Sequence, residues 1–202
     1  MKRIFDIILS LIVLILFFPI GLILSIFIIL ESKGGVFFIQ KRVGKNEREF
    51  GMFKFRSMKI NSEEKGQLTI GEKDKRITKI GFFIRKYKLD EFPQFINVLK
   101  GDMSIVGPRP EVKKYTQYYN EEQKKVLSVK PGITDLASIQ YYDENALLGK
   151  SNNPEQTYIE EIMPNKIKIN LKYCENANIL TDFKVLTLTF FRILGLKLIS
   201  KN

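Results

Sequence analysis

The 202-residue chain has no histidine and a single cysteine, Cys174. The first absence removes the commonest general base and the commonest metal ligand, so any catalysis must run on Asp, Glu, Lys, Tyr, Ser or Cys. A metal would have to be held by oxygen atoms, which points to magnesium or a similar hard cation and away from structural zinc. One cysteine excludes an intramolecular disulfide and a multi-thiolate site, in keeping with a reducing compartment, and Cys174 itself reads as a small core residue. Internal repeats and low-complexity tracts are lacking, and without a Walker-type glycine loop ATP hydrolysis is not suggested. Negative charge is short as well: 22 Asp and Glu face 33 Lys and Arg, a net charge of +11. Such a surface attracts polyanions, whether nucleic acid, nucleotide phosphates or anionic lipid. The length suits one folded core with an appendage.

From Ile7 to Leu30 no residue is charged. At about 1.5 Å per residue this run matches a bilayer core of roughly 30 Å. It is too long for the apolar part of a cleaved signal peptide and ends in ESKGG rather than a small-residue cleavage site. Pro19, inside LFFPIG, cannot donate a helical hydrogen bond, which predicts a kink or break near residue 18. Two readings stay open on these grounds: a kinked span, or a helix that breaks and returns to its own side. Lys2 and Arg3 before the run, and Lys33, Lys41 and Arg42 after it, suit two ends on the positive, cytoplasmic side.

Further along, VFFIQKRVG and EFGMFKFRSMKI read as two strands around KNERE, with Lys54 and Arg56 on one face of the second. NSEEKGQLTIGEKDKR reads as a polar surface loop, and ITKIGFFIRKYK as an amphipathic helix. LDEFPQFINVLKG predicts a helix over about 91–99 with Asp90 as its N-cap and Gly101 as its stop. Pro108 and Pro110 hold Arg109 in a stiff, non-helical segment. Residues 111–127 read as helical, KPGIT as a turn, IQYYDENALLGKSNNPEQ as a loop, and 155–175 as helical again. The tail ILTDFKVLTLTFFRILGLKLI carries Asp182, Lys184 and Arg192, which argues for a helix in the interface or packed on the first segment, not a second span.

The adjacent carboxylates Asp90 and Glu91 admit a bland account, a helix cap and a favourable first-turn charge. Their company admits another. Lys54, Arg56, Arg85, Lys86 and Arg109 lie in the neighbouring segments. A carboxylate kept ionised by cations can attack phosphorus, with its neighbour serving as acid or base and the basic groups stabilising phosphate charge alongside magnesium.

KRIFDIILS with its proline-interrupted apolar run, FFIQKRVG, FKFRSMK, RKYKLDEFPQFINVLKGDMSIVGPRPE and KPGIT occur in order over nearly the whole chain. Together they resemble the bacterial sugar transferase family, specifically its small monotopic phosphoglycosyl transferases. The resemblance implies an α+β, mainly helical fold. Residues 1–32 would form a re-entrant membrane hairpin, a helix-break-helix turned at Pro19. Residues 33–202 would form a compact cytoplasmic catalytic domain with a small β element and amphipathic helices at the membrane interface. It further implies transfer of a sugar 1-phosphate from a UDP-sugar to a polyprenol phosphate, with undecaprenyl phosphate the expected acceptor and UMP released. This step would initiate surface glycan assembly at the cytoplasmic face of the bacterial inner membrane. By the same resemblance Asp90 is the nucleophile and a Mg2+ ligand, Glu91 its acid-base partner, and Lys54, Arg56, Arg85 and Arg109 bind phosphate. The partners are then a UDP-sugar, polyprenol phosphate and membrane lipid, with a homodimer left open. Where family members often read Gly-Leu-Ala-Gln after KPGIT, this chain has Asp135, Leu136, Ala137 and Ser138, so the sugar is not carried over. The rival from another class is a non-catalytic, membrane-anchored basic protein that binds lipid. A glycosyltransferase passing an intact sugar, and so releasing UDP, is the enzymatic rival. Nucleic acid is not an expected partner, because no recognition motif or stacking platform is present.

Overall fold

The computed structural model describes residues 1–62, 66, 68 and 74–196. The polar loop expected around residues 61–76 therefore lies largely outside the described residues. Helix α1 runs from Lys2 to Glu31, with Pro19 inside it. The residues on either side of Pro19 thus form one element in place of the two expected, and the single missing amide donor is absorbed within the helix. Its buried residues, Asp6, Ser10, Phe17, Leu24 and Ile28, recur at helical spacing and face the rest of the protein. Ile8, Ile15, Leu16, Phe18, Ile23 and Leu30 stand exposed on the other side.

Strands β1 (Phe37–Val43) and β2 (Glu49–Phe55) form the expected antiparallel hairpin, in register from Phe37 opposite Phe55 to Val43 opposite Glu49. Helix α2 (Lys79–Lys86) is capped by the Thr78 hydroxyl, which accepts from the Gly81 amide at 2.9 Å. Gly81 is needed there because a Cβ would sit 1.9 Å from the Ser57 carbonyl oxygen. A 3-10 turn at Leu89–Glu91 precedes α3 (Gln94–Lys100), which stops at Gly101 with φ +92.

Strand β3 (Ser104–Val106) pairs in parallel with β4 (Gly132–Thr134). KPGIT thus leads into a short strand, not merely a turn. The glycine permits it: a Cβ on Gly132 would lie 2.1 Å from the Gly107 nitrogen, so only bare backbones fit at this crossing. The stretch expected to be one helix over 111–127 is divided into α4 (Lys113–Thr116), α5 (Glu121–Lys124) and a 3-10 turn, because Asn120 builds a capping box with Gln123 and starts a new helix. The stretch read as a loop after residue 138 takes in the end of α6 (Leu136–Gln140) and the whole of α7 (Glu144–Leu148); Asp135 caps α6 through the Ser138 amide. Then come α8 (Pro154–Thr157), a π turn at Tyr158–Ile162, α9 (Met163–Glu175) and α10 (Ile179–Ile193).

Three apolar clusters hold these parts together. One joins β2, α3, β3 and α10 through Met52, Val98, Ile105 and Val185. A second packs α9 against α4 and α7 through Tyr115, Leu148, Met163 and Ile167. The third seats α1 on the hairpin and α2 through Phe17, Leu24, Ile28, Phe55 and Ile84. Buried polar groups fix the N-terminal end of α1: Asp6 accepts from the Ser104 hydroxyl at 2.8 Å and the Ile105 amide at 3.2 Å, and Lys2 pairs with the buried Asp182.

Candidate active site

The chain reverses at Lys88, which adopts left-handed backbone angles (φ 56) that a side-chain-bearing residue rarely takes. That turn delivers Leu89, Asp90 and Glu91 from the end of α2 to the start of α3. Helix α3 is itself pinned on two sides. Asn97 donates to the Gly51 carbonyl at 2.8 Å and accepts from the Phe53 amide at 2.9 Å, tying it to the hairpin. Phe92 stacks on Phe17 of α1 with ring centroids 3.8 Å apart. Asp90 and Glu91 therefore sit where α1, the hairpin and α3 converge.

Asp90 is 5% exposed and caps nothing: α3 has Pro93 at its N-cap position and no side-chain cap, and the buried Oδ1 of Asp90 has no hydrogen-bond partner. The helix-cap account of this residue is thereby lost. Glu91 turns to the opposite partner. Arg109 closes on it with both terminal nitrogens, Nη1 to Oε2 at 3.2 Å and Nη2 to Oε1. Arg109 is held in place by its prolines and by Arg42, whose Nη1 donates to the Pro110 carbonyl at 3.0 Å and pairs with Glu111.

Asp90, Glu91, Lys54, Arg56, Arg85 and Arg109 all line one cavity of about 1090 Å³. The segments singled out by sequence thus converge, but not all their side chains are free. Arg56 spends its guanidinium on the C-terminal end of α1, donating to the carbonyls of Lys33 (2.6 Å), Ser32 (2.8 Å) and Ile28 (3.2 Å). It acts there as a helix cap supplied from the residue just after β2. Lys54 carries no such bond and presents its amine to the cavity beside Asp90.

The electrostatics of the two acids diverge. Burial, and next the charge of Glu91, push the Asp90 carboxyl upward, more than Lys54, Arg85 and Lys88 draw it down. The cations expected from sequence to hold Asp90 ionised thus offset its burial only in part. Burial also opposes ionisation of Glu91, but Arg109 and Lys54 together outweigh it and hold this carboxyl well below the usual range. Burial brings the Lys54 amine down to about 7, against the opposing pull of Glu91. Glu91 in turn raises Arg109 above the ordinary guanidinium value.

Four cavity residues were not singled out for this role by sequence. Lys88 and Arg192 flank the Tyr142 ring, at 5.4 Å and 4.6 Å from its centroid, and Arg42 and Lys166 close the far wall. Their segments lie far apart in the chain, and no local pattern joins them. Asp143 pairs with Arg192 at 3.0 Å. Asp182 lies within α10, which Asn178 caps, and bonds Tyr173 at 2.6 Å.

Among the described residues no group of three or more acidic or cysteine side chains converges to cage a metal. The unpartnered Asp90 oxygen nevertheless fits a hard cation of the magnesium kind, which takes one or two carboxylates and completes its shell with water and substrate phosphates.

The profile described as bacterial sugar transferase matches residues 1–195. Over 196 residues, 96% of this chain and 43% of the relative, it is 38% identical to a UDP-N-acetylgalactosamine-undecaprenyl-phosphate N-acetylgalactosaminephosphotransferase of Aeromonas hydrophila. Identity is 35% over 95% of the chain and 40% of the UDP-glucose:undecaprenyl-phosphate glucose-1-phosphate transferase of Escherichia coli (strain K12). It is 36% over 96% of the chain and 87% of the uncharacterized sugar transferase EpsL of Bacillus subtilis (strain 168). The chain spans about two fifths of the length of the first two relatives. With the profile running through α1, the Asp90–Glu91 turn, the Arg109 segment and α10 alike, the chain belongs to the bacterial sugar transferase family.

Proposed function

We propose that the chain transfers a sugar 1-phosphate from a UDP-sugar to undecaprenyl phosphate or a similar polyprenol phosphate, releasing UMP. The observation that carries this reading is the buried, unpartnered Oδ1 of Asp90 on the wall of a large cation-rimmed cavity. A helix cap or an ion pair would have its oxygens engaged; a nucleophile has to keep one bare.

In the first step the Asp90 carboxylate forms a bond to the sugar-bearing phosphorus of the donor, and the bond from that phosphorus to the UMP oxygen breaks. In the second, a phosphate oxygen of the polyprenol phosphate attacks the same phosphorus and the aspartyl oxygen leaves, restoring Asp90. Lys54, Arg85 and Arg109 supply positive charge to the diphosphate and to the oxygens that gain charge as the bonds exchange. Glu91 stays ionised on Arg109 and sets the direction of that guanidinium; release of Arg109 onto phosphate would free Glu91 to exchange a proton. Asp90 would hold magnesium together with the diphosphate, and the ion would supply charge neutralisation and keep Asp90 ionised.

The cavity also offers apolar walls from Phe55, Phe92, Leu186 and Ile193, which suit the start of a prenyl chain. Membrane insertion fits the exposed apolar side of α1 and the outer residues Leu180, Phe183 and Phe190 of α10. Both ends of α1 bond to one and the same body: Arg3 donates to the Leu99 carbonyl at 2.9 Å, and Glu31 accepts from the Ile80 amide at 2.7 Å. This supports a monotopic arrangement in which α1 enters the bilayer without leaving one end on the far side, with the body on the cytoplasmic face.

The test is a panel of radiolabelled UDP-sugars incubated with magnesium and the protein in nanodiscs, without acceptor. Label on the denatured protein together with UMP, both lost in Asp90→Asn, is the expected result. If no sugar yields label or UMP even after polyprenol phosphate is added, the reading fails.

A further inference from the structure

Behind the Arg109 segment lies a second cavity, of about 180 Å³. Arg42, Arg109, Glu144, Asn145 and Lys166 line both this space and the main cavity, so the two adjoin. On its far wall sits Asn170, 5% exposed, whose buried Oδ1 has no hydrogen-bond partner. Gln94 and Ser10 also hold unpartnered buried atoms, but neither lines either cavity. Leaving a buried carbonyl oxygen unpaired is costly, and a structure that tolerates it at a cavity wall is complementary to a donor that comes and goes.

We propose that this second cavity is the subsite for the pyrimidine ring of the donor nucleotide, with the Asn170 amide reading the N3 edge of the base. The inference rests on the UDP-sugar reading above and extends it to the part of the donor farthest from the chemistry. Its size admits one heterocycle and not a whole nucleotide, which leaves the ribose and phosphates in the main cavity. Arg109 reaches Glu91 on one side and borders the second cavity on the other, so a diphosphate at Arg109 lies between Asp90 and the base. Tyr115, Tyr119 and Tyr158 supply aromatic wall of the kind that stacks on a base.

The local backbone explains why Asn170 points there. Met163, Lys166 and Asn170 follow at spacings of three and four along α9, on the face that lines the cavity. The π turn at Tyr158–Ile162 just before α9 resets its phase, and such turns recur at functional sites. An amide suits a pyrimidine: its oxygen accepts the N3 hydrogen of uracil while its nitrogen donates to the neighbouring carbonyl.

The test pairs a ligand change with a residue change. Binding of UMP and of N3-methyl-UMP is measured calorimetrically on wild type and Asn170→Ala, in nanodiscs with magnesium. The methyl group is expected to weaken binding about tenfold or more in wild type, and within about twofold in the variant, because the hydrogen bond it removes is already gone. In parallel, wild type is photolabelled with 5-azido-UMP and digested, which does not depend on the variant folding; adducts are expected on Tyr115, Tyr119 or the 158–170 peptide. An equal methyl penalty in both proteins, or adducts confined to other peptides, would overturn the subsite while UMP binding leaves the donor reading intact. A protein that neither binds UMP nor releases it from any donor sinks both.

Discussion

Arg109 grips Glu91 through both terminal guanidinium nitrogens while its neighbour Asp90, one residue earlier, keeps a buried oxygen bare. Two adjacent carboxylates are thus given opposite electrostatic lives by one arginine. Arg109 orients Glu91 and draws its carboxyl down, while burial and the charge of Glu91 push the Asp90 carboxyl up against the pull of Lys54, Arg85 and Lys88.

The ion pair should be measurable in stability. Removing one partner of a buried pair costs about 3–5 kcal/mol, and partial exposure of the Arg109 side chain reduces this to about 2 kcal/mol. Arg109→Gln should therefore lower the denaturation midpoint. Glu91→Gln in the same chain should restore part of the loss, since the isolated charge is then gone. A double variant as unstable as the sum of the two singles would mean the pair contributes no coupling.

Arg56 should behave as a structural residue in spite of lining the cavity. Its three hydrogen bonds cap the end of α1, and charged bonds of this kind contribute about 1.5–3 kcal/mol each. Arg56→Met is expected to destabilise the protein by about 3 kcal/mol or more. Donor KM measured on the folded fraction should stay within about twofold. A large rise in KM with unchanged thermal stability would return Arg56 to phosphate binding.

How far the residues announced this arrangement depends on the range over which they act. The hairpin, α2 and α10 follow from alternation and helical spacing, which are local, and the structure has all three. The β3–β4 pair was hidden because its signal is a close approach between Gly107 and Gly132, residues 25 positions apart that no periodicity links. Asp90 reads as a cap because an acid before a proline normally is one. The left-handed residue Lys88 leads into a short 3-10 turn, the α-helix starts only at Gln94, and Asp90 Oδ1 is left without a partner. Arg56 shows the same limit in reverse: alternation aims it at the site, while the carbonyls it serves belong to another part of the chain.

Lys54 is expected to carry the pH dependence of donor binding. Burial brings its amine to about 7, so it is half neutral at that pH in the free protein. A diphosphate beside it favours the charged form, and binding then takes up a proton. Affinity for UDP should fall as pH rises from 7 to 9, by up to about tenfold per unit, and Lys54→Met should flatten the slope. Calorimetry in buffers of different ionisation heat reads the proton directly. No uptake at pH 8 in wild type would remove Lys54 from the diphosphate.

Magnesium should bind with the donor and not before it. Asp90 offers one free carboxylate oxygen, and among the described residues no group of three or more acids gathers there to cage an ion without substrate. Titration of Mg2+ into the free protein is expected to show weak binding, and titration with UDP present to show tighter binding that Asp90→Asn abolishes. Equal affinity with and without UDP would indicate a site elsewhere.

The arrangement of α1 can be settled by chemical access. Lys2 and Arg3 at one end, and Glu31 at the other, are bonded to the same body, so a monotopic protein exposes both ends to one side. In a Cys174→Ser background, single cysteines at Met1 and at Lys33 should both react with an impermeant maleimide in inverted membrane vesicles. Neither should react in right-side-out vesicles or spheroplasts. A helix crossing the bilayer would expose one of them in each preparation, and would have to break the polar bonds at one end of α1 to do so. The labelling pattern therefore also tests whether those bonds, and with them the stacking of Phe92 beside the Asp90–Glu91 turn on Phe17 of α1, survive in the membrane.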